Sequence, residues 1–142
     1  MEKKVEQIRI DDGSKTYELV NVDGEVIGRI TLRPTDTNIV EKYDKVVEAL
    51  ETYFNQMQDK PFEKEDFVKA QKEIVDRFSD LIGEDASKTI FSICGAFTPM
   101  ASGQLFLEVV IEAIGNIIEK EAKTRMKKVE TRMDKYLKGY KK

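Results

Sequence analysis

Few side chains in this sequence could carry out chemistry. Its 142 residues include no histidine and one cysteine, Cys94. Histidine is the usual general base of catalytic triads, and cysteine pairs are typical of disulfides and many zinc sites, so the composition excludes these arrangements. Cys94 lies between Ile93 and Gly95 in an apolar run, which predicts packing and not reactivity.

Carboxylates are the remaining candidates, and they occur in three short groups. Asp11 and Asp12 form the first, residues 63, 65 and 66 the second, and Glu84 with Asp85 the third. Each group could hold a hard cation loosely, but none has the alternating oxygen ligands and distal glutamate of a calcium loop. We therefore predict no metal ion, and nothing in the spacing indicates a catalytic carboxylate pair.

The segment Gly-Glu-Asp-Ala-Ser-Lys-Thr, residues 83–89, ends like a phosphate-binding P-loop. That motif requires glycine six residues and one residue before the lysine, where this chain has Ile82 and Ser87. Two acidic residues would also face the phosphates. We expect Gly83 to end a helix instead, and we predict no cofactor and no enzymatic activity.

Charge changes abruptly along the chain. Residues 119–142 contain ten Lys or Arg and four Asp or Glu, a balance of +6. Because the whole chain carries −3, residues 1–118 carry −9. We therefore predict one globular domain over residues 1–118, followed by a basic helical extension over residues 119–142.

Apolar residues recur at intervals of four and three through the basic extension, which indicates a short heptad seam. The residues of this seam are Ala122, Met126, Val129, Met133, Tyr136 and Tyr140. We predict that the stretch from Ala122 to Tyr136 binds a protein partner. Methionine suits such a surface because its flexible side chain adapts to repeated contacts.

A basic helix can also bind nucleic acid or a membrane surface, and the composition argues against both. An interleaved aromatic platform for nucleic acid is missing, and the body is acidic. The apolar face offers Ala, Met and Val more than the Trp, Phe and Leu of helices that lie on membranes. An acidic partner protein or the acidic body of a neighbouring copy fits the charge better, with a solvated helix end as the remaining alternative.

The first third of the chain predicts an antiparallel sheet. Residues 17–22 and 25–32 are rich in β-branched residues and flank Asp23-Gly24, a dipeptide typical of two-residue type I′ hairpins. Residues 5–10, which precede a turn cluster at 11–14, could add a third strand. Only one face of the second strand is convincingly apolar, so the sheet needs a covering layer.

Helical periodicity dominates the rest of the chain. We predict a first helix over residues 36–58 with Thr35 or Asp36 as its N-cap, and a second from beyond Pro61 to Gly83. A short third helix follows over residues 86–94, and a fourth begins at Ser102 and reaches about residue 137, on the order of 50 Å. The fold class is therefore α+β: a hairpin of two or three strands followed by a bundle of three or four helices, the last one long.

No segment predicts membrane insertion. Residues 89–107 are uncharged but contain glycine, proline and several hydroxyl side chains, and the N-terminus leads into polar residues without an apolar signal core. With a single cysteine, this indicates the cytoplasm.

The order of these features resembles a known family. The hairpin YELVNVDGEVIG at residues 17–28, the helix start RPTDTNIVEKY at 33–43 and the string LIGEDASKTIF at 81–91 carry the resemblance. Together they look like the small tail assembly chaperones encoded by tailed phages and prophages of low-GC Gram-positive bacteria. The resemblance covers about residues 17–118, and the basic seam is not a hallmark of that family.

The resemblance implies a non-enzymatic protein that binds the helical tape measure protein before the tail tube polymerises around it in the host cytoplasm. It also implies no cofactor and no active site. Self-association through the same seam is equally allowed. A different class of function, a small regulatory or nucleic-acid-associated module that uses the basic helix, is the alternative.

Overall fold

The computed structural model describes residues 4–140, apart from the side chains of residues 136 and 138–140. Two antiparallel strands, β1 (Lys15–Val20) and β2 (Val26–Leu32), come first. Four helices follow within the described residues: α1 (Ile39–Asp59), α2 (Lys64–Ile82), α3 (Glu84–Phe91) and α4 (Phe106–Tyr140). The predicted α+β architecture, a hairpin followed by helices with a long last helix, is confirmed.

The hairpin forms where Asp23-Gly24 predicts it, but its turn is of another type. Only Gly24 takes a positive φ, of 82°, whereas a type I′ turn requires positive φ at both central residues. The Asn21 side-chain oxygen accepts the N–H groups of Asp23 and Glu25, each at 3.0 Å. A three-residue turn ending in a left-handed glycine therefore replaces the two-residue turn, because the Asn21 side chain organises it.

The third strand predicted over residues 5–10 does not form, since this segment has neither strand nor helix. The turn cluster after it folds as predicted: Asp11 accepts the Gly13 N–H at 2.9 Å, and Asp12 accepts the Ser14 N–H at 3.0 Å. Arg33 also pairs with Asp12 at 3.4 Å. These contacts fix the turn without laying the preceding residues against β1.

Three helix boundaries differ from prediction. α1 begins at Ile39 because Asp36 uses its carboxylate to accept the Asn38 N–H at 3.0 Å in the preceding turn. α3 begins at Glu84, directly after Gly83 with its φ of 93°, and ends at Phe91. α4 begins at Phe106 and not at Ser102, because residues 92–105 form an irregular link closed by a bridge between Pro99 and Leu105.

The core lies between the helices, and the hairpin covers one side of it. Val46, Ile74, Phe78 and Leu107 have no exposed surface, and α2 begins with a reciprocal capping box formed by Glu63 and Asp66. Ile30 and Leu32 of β2 are buried against the helices. The apolar face of the sheet is thereby covered, as its one-sided pattern requires.

Candidate partner-binding surface

The last helix starts inside the core. Leu107, Val110, Ile111 and Ile114 are buried, and the Tyr43 hydroxyl of α1 donates to the Ile111 carbonyl at 3.2 Å. These positions recur every three or four residues, so one stripe of α4 faces the body. The first half of α4 is therefore a structural element of the globular unit.

Glu121 marks the place where α4 passes the hairpin. Glu121 is 8% exposed, and its carboxylate accepts a hydrogen bond from Lys15 Nζ at 2.6 Å and from the Tyr17 hydroxyl at 3.5 Å. The ion pair with Lys15 lowers the pKa of Glu121 below its usual 4.5. The same contact raises the pKa of Lys15 above 10.5, and burial together with Glu121 raises the pKa of Tyr17. This junction ties α4 to β1.

Arg125 extends the junction by one helical turn. Its Nη1 donates to the Gly13 carbonyl and to the Thr35 hydroxyl, both at 2.9 Å, and its Nε lies 3.4 Å from Glu121. A guanidinium can make these contacts together because its donors have a fixed, forked geometry. Arg125 is the last described side chain through which α4 is bonded to the rest of the molecule.

Beyond Arg125 the apolar seam lies in solvent. Met126 is 52% exposed, Val129 43% and Met133 57%, whereas Ala122 is half-buried beside Glu121. The side chain of Tyr136 lies outside the described residues, as does that of Tyr140. Of the five predicted partner-binding residues, three therefore form a free apolar row and Ala122 sits at its edge.

Leu137 belongs to the same surface and was missed by the heptad pattern. It is 58% exposed and lies four residues after Met133, so the two share one side of the helix. The heptad count favoured Tyr136 at this turn, but the four-residue spacing from Met133 could have identified Leu137. We call Met126, Val129, Met133 and Leu137 the α4 seam.

Basic side chains flank the α4 seam. Lys127, Lys128, Arg132 and Lys135 are exposed, with Glu130 and Asp134 as the acidic residues among them. Within the described part of α4, ion pairs are found only up to Arg125. The surface thus combines an apolar row with uncompensated positive charge, a combination that suits an acidic amphipathic partner.

The other candidates show no site geometry. No group of three or more Cys, Asp or Glu within residues 4–140 is arranged to hold a metal ion. Glu84 of the P-loop-like segment pairs with Lys88 at 3.2 Å, and the Ser87 hydroxyl is buried and donates to the Val75 carbonyl. Cys94 is half-buried. Glu84, Ser87 and Lys88 therefore make contacts within the fold.

A cleft of about 670 Å³ opens beside β2. It is lined by residues 29–32 of β2 with Arg33, by Asp12 and Ser14 before β1, by the start of α1, and by residues 79–86 and 89 at the end of α2 and in α3. Its lining contains both acidic and basic side chains: Asp12, Asp36, Asp80, Glu84 and Asp85, with Arg29, Arg33 and Lys42.

Comparisons of the chain with models of protein families, with curated proteins and with solved structures found no match. Among the described residues, no helix is both long enough and apolar enough to cross a membrane.

Proposed function

We propose that the protein is a non-enzymatic assembly factor that binds a helical protein partner along the α4 seam, like the phage tail assembly chaperones that its sequence resembles. In this proposal the partner is a long helical chain such as a tape measure protein. Binding would shield apolar stripes that otherwise aggregate before the partner is packaged into a larger assembly.

One observation carries the proposal: Met126, Val129 and Met133 are exposed on a helix that the body holds only as far as Arg125. A rigid helix that presents an apolar row at spacings of three and four residues can pack against another helix. The fixed junction at Glu121 and Arg125 reduces the ordering cost of such docking, since the helix is already formed.

Charge indicates the chemistry of the partner. Residues 119–142 carry +6, so two seams packed side by side would bring together two strongly positive helices. An acidic amphipathic helix would instead find Lys127, Lys128 and Arg132 beside its carboxylates. We therefore favour an acidic helical partner over self-association through this seam.

The experiment measures binding of two synthetic helical peptides by fluorescence anisotropy. Both carry the same apolar stripe, flanked by glutamate in one and by lysine in the other, and a recombinant helical segment of a phage tape measure protein is tested beside them. We expect the glutamate peptide and the tape measure segment to bind. The variant Met126→Ser with Met133→Ser should lose binding, and the control Thr124→Ala with Thr131→Ala, on the same helix, should keep it.

Three results would contradict the proposal in different ways. Equal affinity of both variants would show that the α4 seam is not the binding surface. Binding of the glutamate peptide without the tape measure segment would retain acidic helix docking and overturn the tape measure assignment. Binding of duplex DNA that weakens steeply with salt, without peptide binding, would favour the nucleic-acid module.

A further inference from the structure

The residues before the hairpin form an exposed apolar arm. Val5, Ile8 and Ile10 are 88%, 85% and 78% exposed, although aliphatic side chains of this size are among those most often buried. Ile8 and Ile10 are two residues apart, the period of a strand face. We call residues 4–10 the arm. It has the composition of a strand but no strand beside it.

The base of the arm is fixed to the body. Arg125 donates to the Gly13 carbonyl at 2.9 Å, and Arg33 pairs with Asp12 at 3.4 Å. Both contacts lie within three residues of Ile10. The arm therefore leaves the molecule from a defined position.

The cleft beside β2 exposes the edge of that strand. Four successive residues of β2, 29–32, line it together with Arg33, and successive side chains of a strand point to opposite faces. A lining drawn from both faces places the cleft along the edge of β2. Because the described sheet has only two strands, this edge has no strand partner. An unpaired edge is a template for a further strand.

The arm and the cleft are complementary in charge. The cleft lining contains five carboxylates and three basic side chains, and the arm contains Lys4, Glu6 and Arg9. A surface with net negative charge thus faces a segment with net positive charge.

We propose that the arm of one copy of the chain adds to the β2 edge in the cleft of a second copy, and that the exchange is reciprocal. Asp12 and Ser14, at the base of the arm, themselves line the cleft. Two copies that face each other cleft to cleft, about a two-fold axis, therefore place each arm at the mouth of the other cleft. Ile8 and Ile10 become buried between strand and helices.

A second copy suits the cleft better than the chain's own arm. To reach its own β2 edge, the arm would have to cross the end of the sheet through residues 11–14. Those residues are folded into two tight side-chain turns at Asp11 and Asp12. In the single chain the arm lies outside its own cleft, since Ile8 and Ile10 are 85% and 78% exposed.

The first test is solution mass by light scattering on the full chain over a dilution series. We expect a mass twice that of one chain, and a dissociation constant that rises about tenfold or more in Ile8→Asp with Ile10→Asp. Val22→Asp is the matched control, since Val22 is fully exposed in the hairpin connection, outside the cleft. A monomer at all concentrations would overturn the proposal, as would a dimer that both variants retain.

A second test identifies the contact. In a Cys94→Ala background, one copy carries Arg9→Cys and the other Thr31→Cys, and the mixed sample is oxidised. Arg9 alternates with Ile8 and Ile10, so in the added strand it shares the exposed face with Thr31. We expect a disulfide between two chains, absent when Val22→Cys replaces Arg9→Cys. A chain with both Arg9→Cys and Thr31→Cys that closes the bond within itself at every dilution would show that the arm occupies its own cleft, and would overturn exchange.

The arm exchange is independent of the proposed function, and the tests separate the two. The exchange uses the cleft and leaves the α4 seam free, so the dimer can still dock a helix on each copy. A dimer lost in Met126→Ser with Met133→Ser, but kept in Ile8→Asp with Ile10→Asp, would overturn arm exchange. It would also assign the α4 seam to self-association.

Discussion

The two halves of α4 have similar apolar spacing but opposite surroundings. Before Arg125, Leu107, Val110 and Ile114 are buried in the core. After Arg125, Met126, Val129 and Met133 occupy the same kind of stripe in solvent. One continuous helix of 35 residues thus serves as a core element and as a free surface.

The difference shows that apolar periodicity alone does not decide burial. The body has a limited width, and a helix of 35 residues, about 52 Å long, extends past it. The boundary is set by polar contacts: Glu121 with Lys15, and Arg125 with Gly13 and Thr35. Substitutions before this boundary are therefore expected to change the stability of the fold. Substitutions after it are expected to change partner binding instead.

The largest expected effect compares the same substitution in the two halves. Leu107→Ala removes a side chain with no exposed surface and should lower the free energy of unfolding by about 2–5 kcal/mol. Leu137→Ala acts on a side chain that is 58% exposed and should change it by about 0.5 kcal/mol or less. Urea denaturation followed by circular dichroism measures both. Equal losses would mean that the second half also packs on the body.

The next effect concerns the boundary itself. Arg125→Met keeps much of the side-chain length but removes the bonds to the Gly13 carbonyl and the Thr35 hydroxyl. We expect a loss of about 1–3 kcal/mol, since hydrogen bonds made by a charged group are stronger than neutral ones. Arg132→Met, at an exposed position about two turns further along α4, is the control and should be close to neutral. If Arg132→Met lowered the free energy of unfolding as much as Arg125→Met, the end of the packed half of α4 would lie further along the helix.

A smaller, pH-dependent effect is expected at Glu121. Its pKa is lowered in the folded protein, so its ion pair contributes stability above pH 4.5, and this contribution is lost as the pH falls through the folded pKa. The pKa of Lys15 is raised, so its side of the pair contributes below pH 10.5 and is lost as the pH rises through the folded pKa.

Glu121→Gln should flatten the acid side of the stability profile, measured by thermal unfolding between pH 3 and 7. Glu130→Gln, in the exposed half of α4, is the matched control and should keep the slope of the unchanged protein. The same flattening in both variants would show that Glu121 has no special role.

Local patterns in the sequence predict the elements well and their contacts poorly. Asp23-Gly24 locates the hairpin, and the breaks at Pro61 and Gly83 separate the helices, because these residues restrict or permit backbone angles locally. The start of α4 is missed because the link before it is closed by Pro99 and Leu105, a pairing that depends on tertiary structure. The strand expected at residues 5–10 needs a partner strand, which its own chain does not supply in the described structure.

The candidate binding surface also has a part that the sequence predicts and a part that depends on tertiary contacts. Periodicity and charge identify Met126, Val129 and Met133, and the structure leaves all three exposed. The half-buried position of Ala122 could not be predicted, since Ala122 lies next to Glu121, whose partner Lys15 is 106 residues away in the sequence. That these residues bind a partner stays a prediction.

The smallest expected effect on stability is that of Val129→Ser, which tests whether the centre of the α4 seam is as exposed as the first half of α4 is buried. Val129 is 43% exposed and has no core neighbours to lose, so the free energy of unfolding should change by about 0.5 kcal/mol or less. Val110→Ser, at a buried position of the same helix, is the control and should cost several times more, because it buries a hydroxyl and removes apolar contacts. If Val129→Ser destabilised the isolated protein as much as Val110→Ser does, the α4 seam would already be covered in solution, and it could not be a free surface for a helical partner.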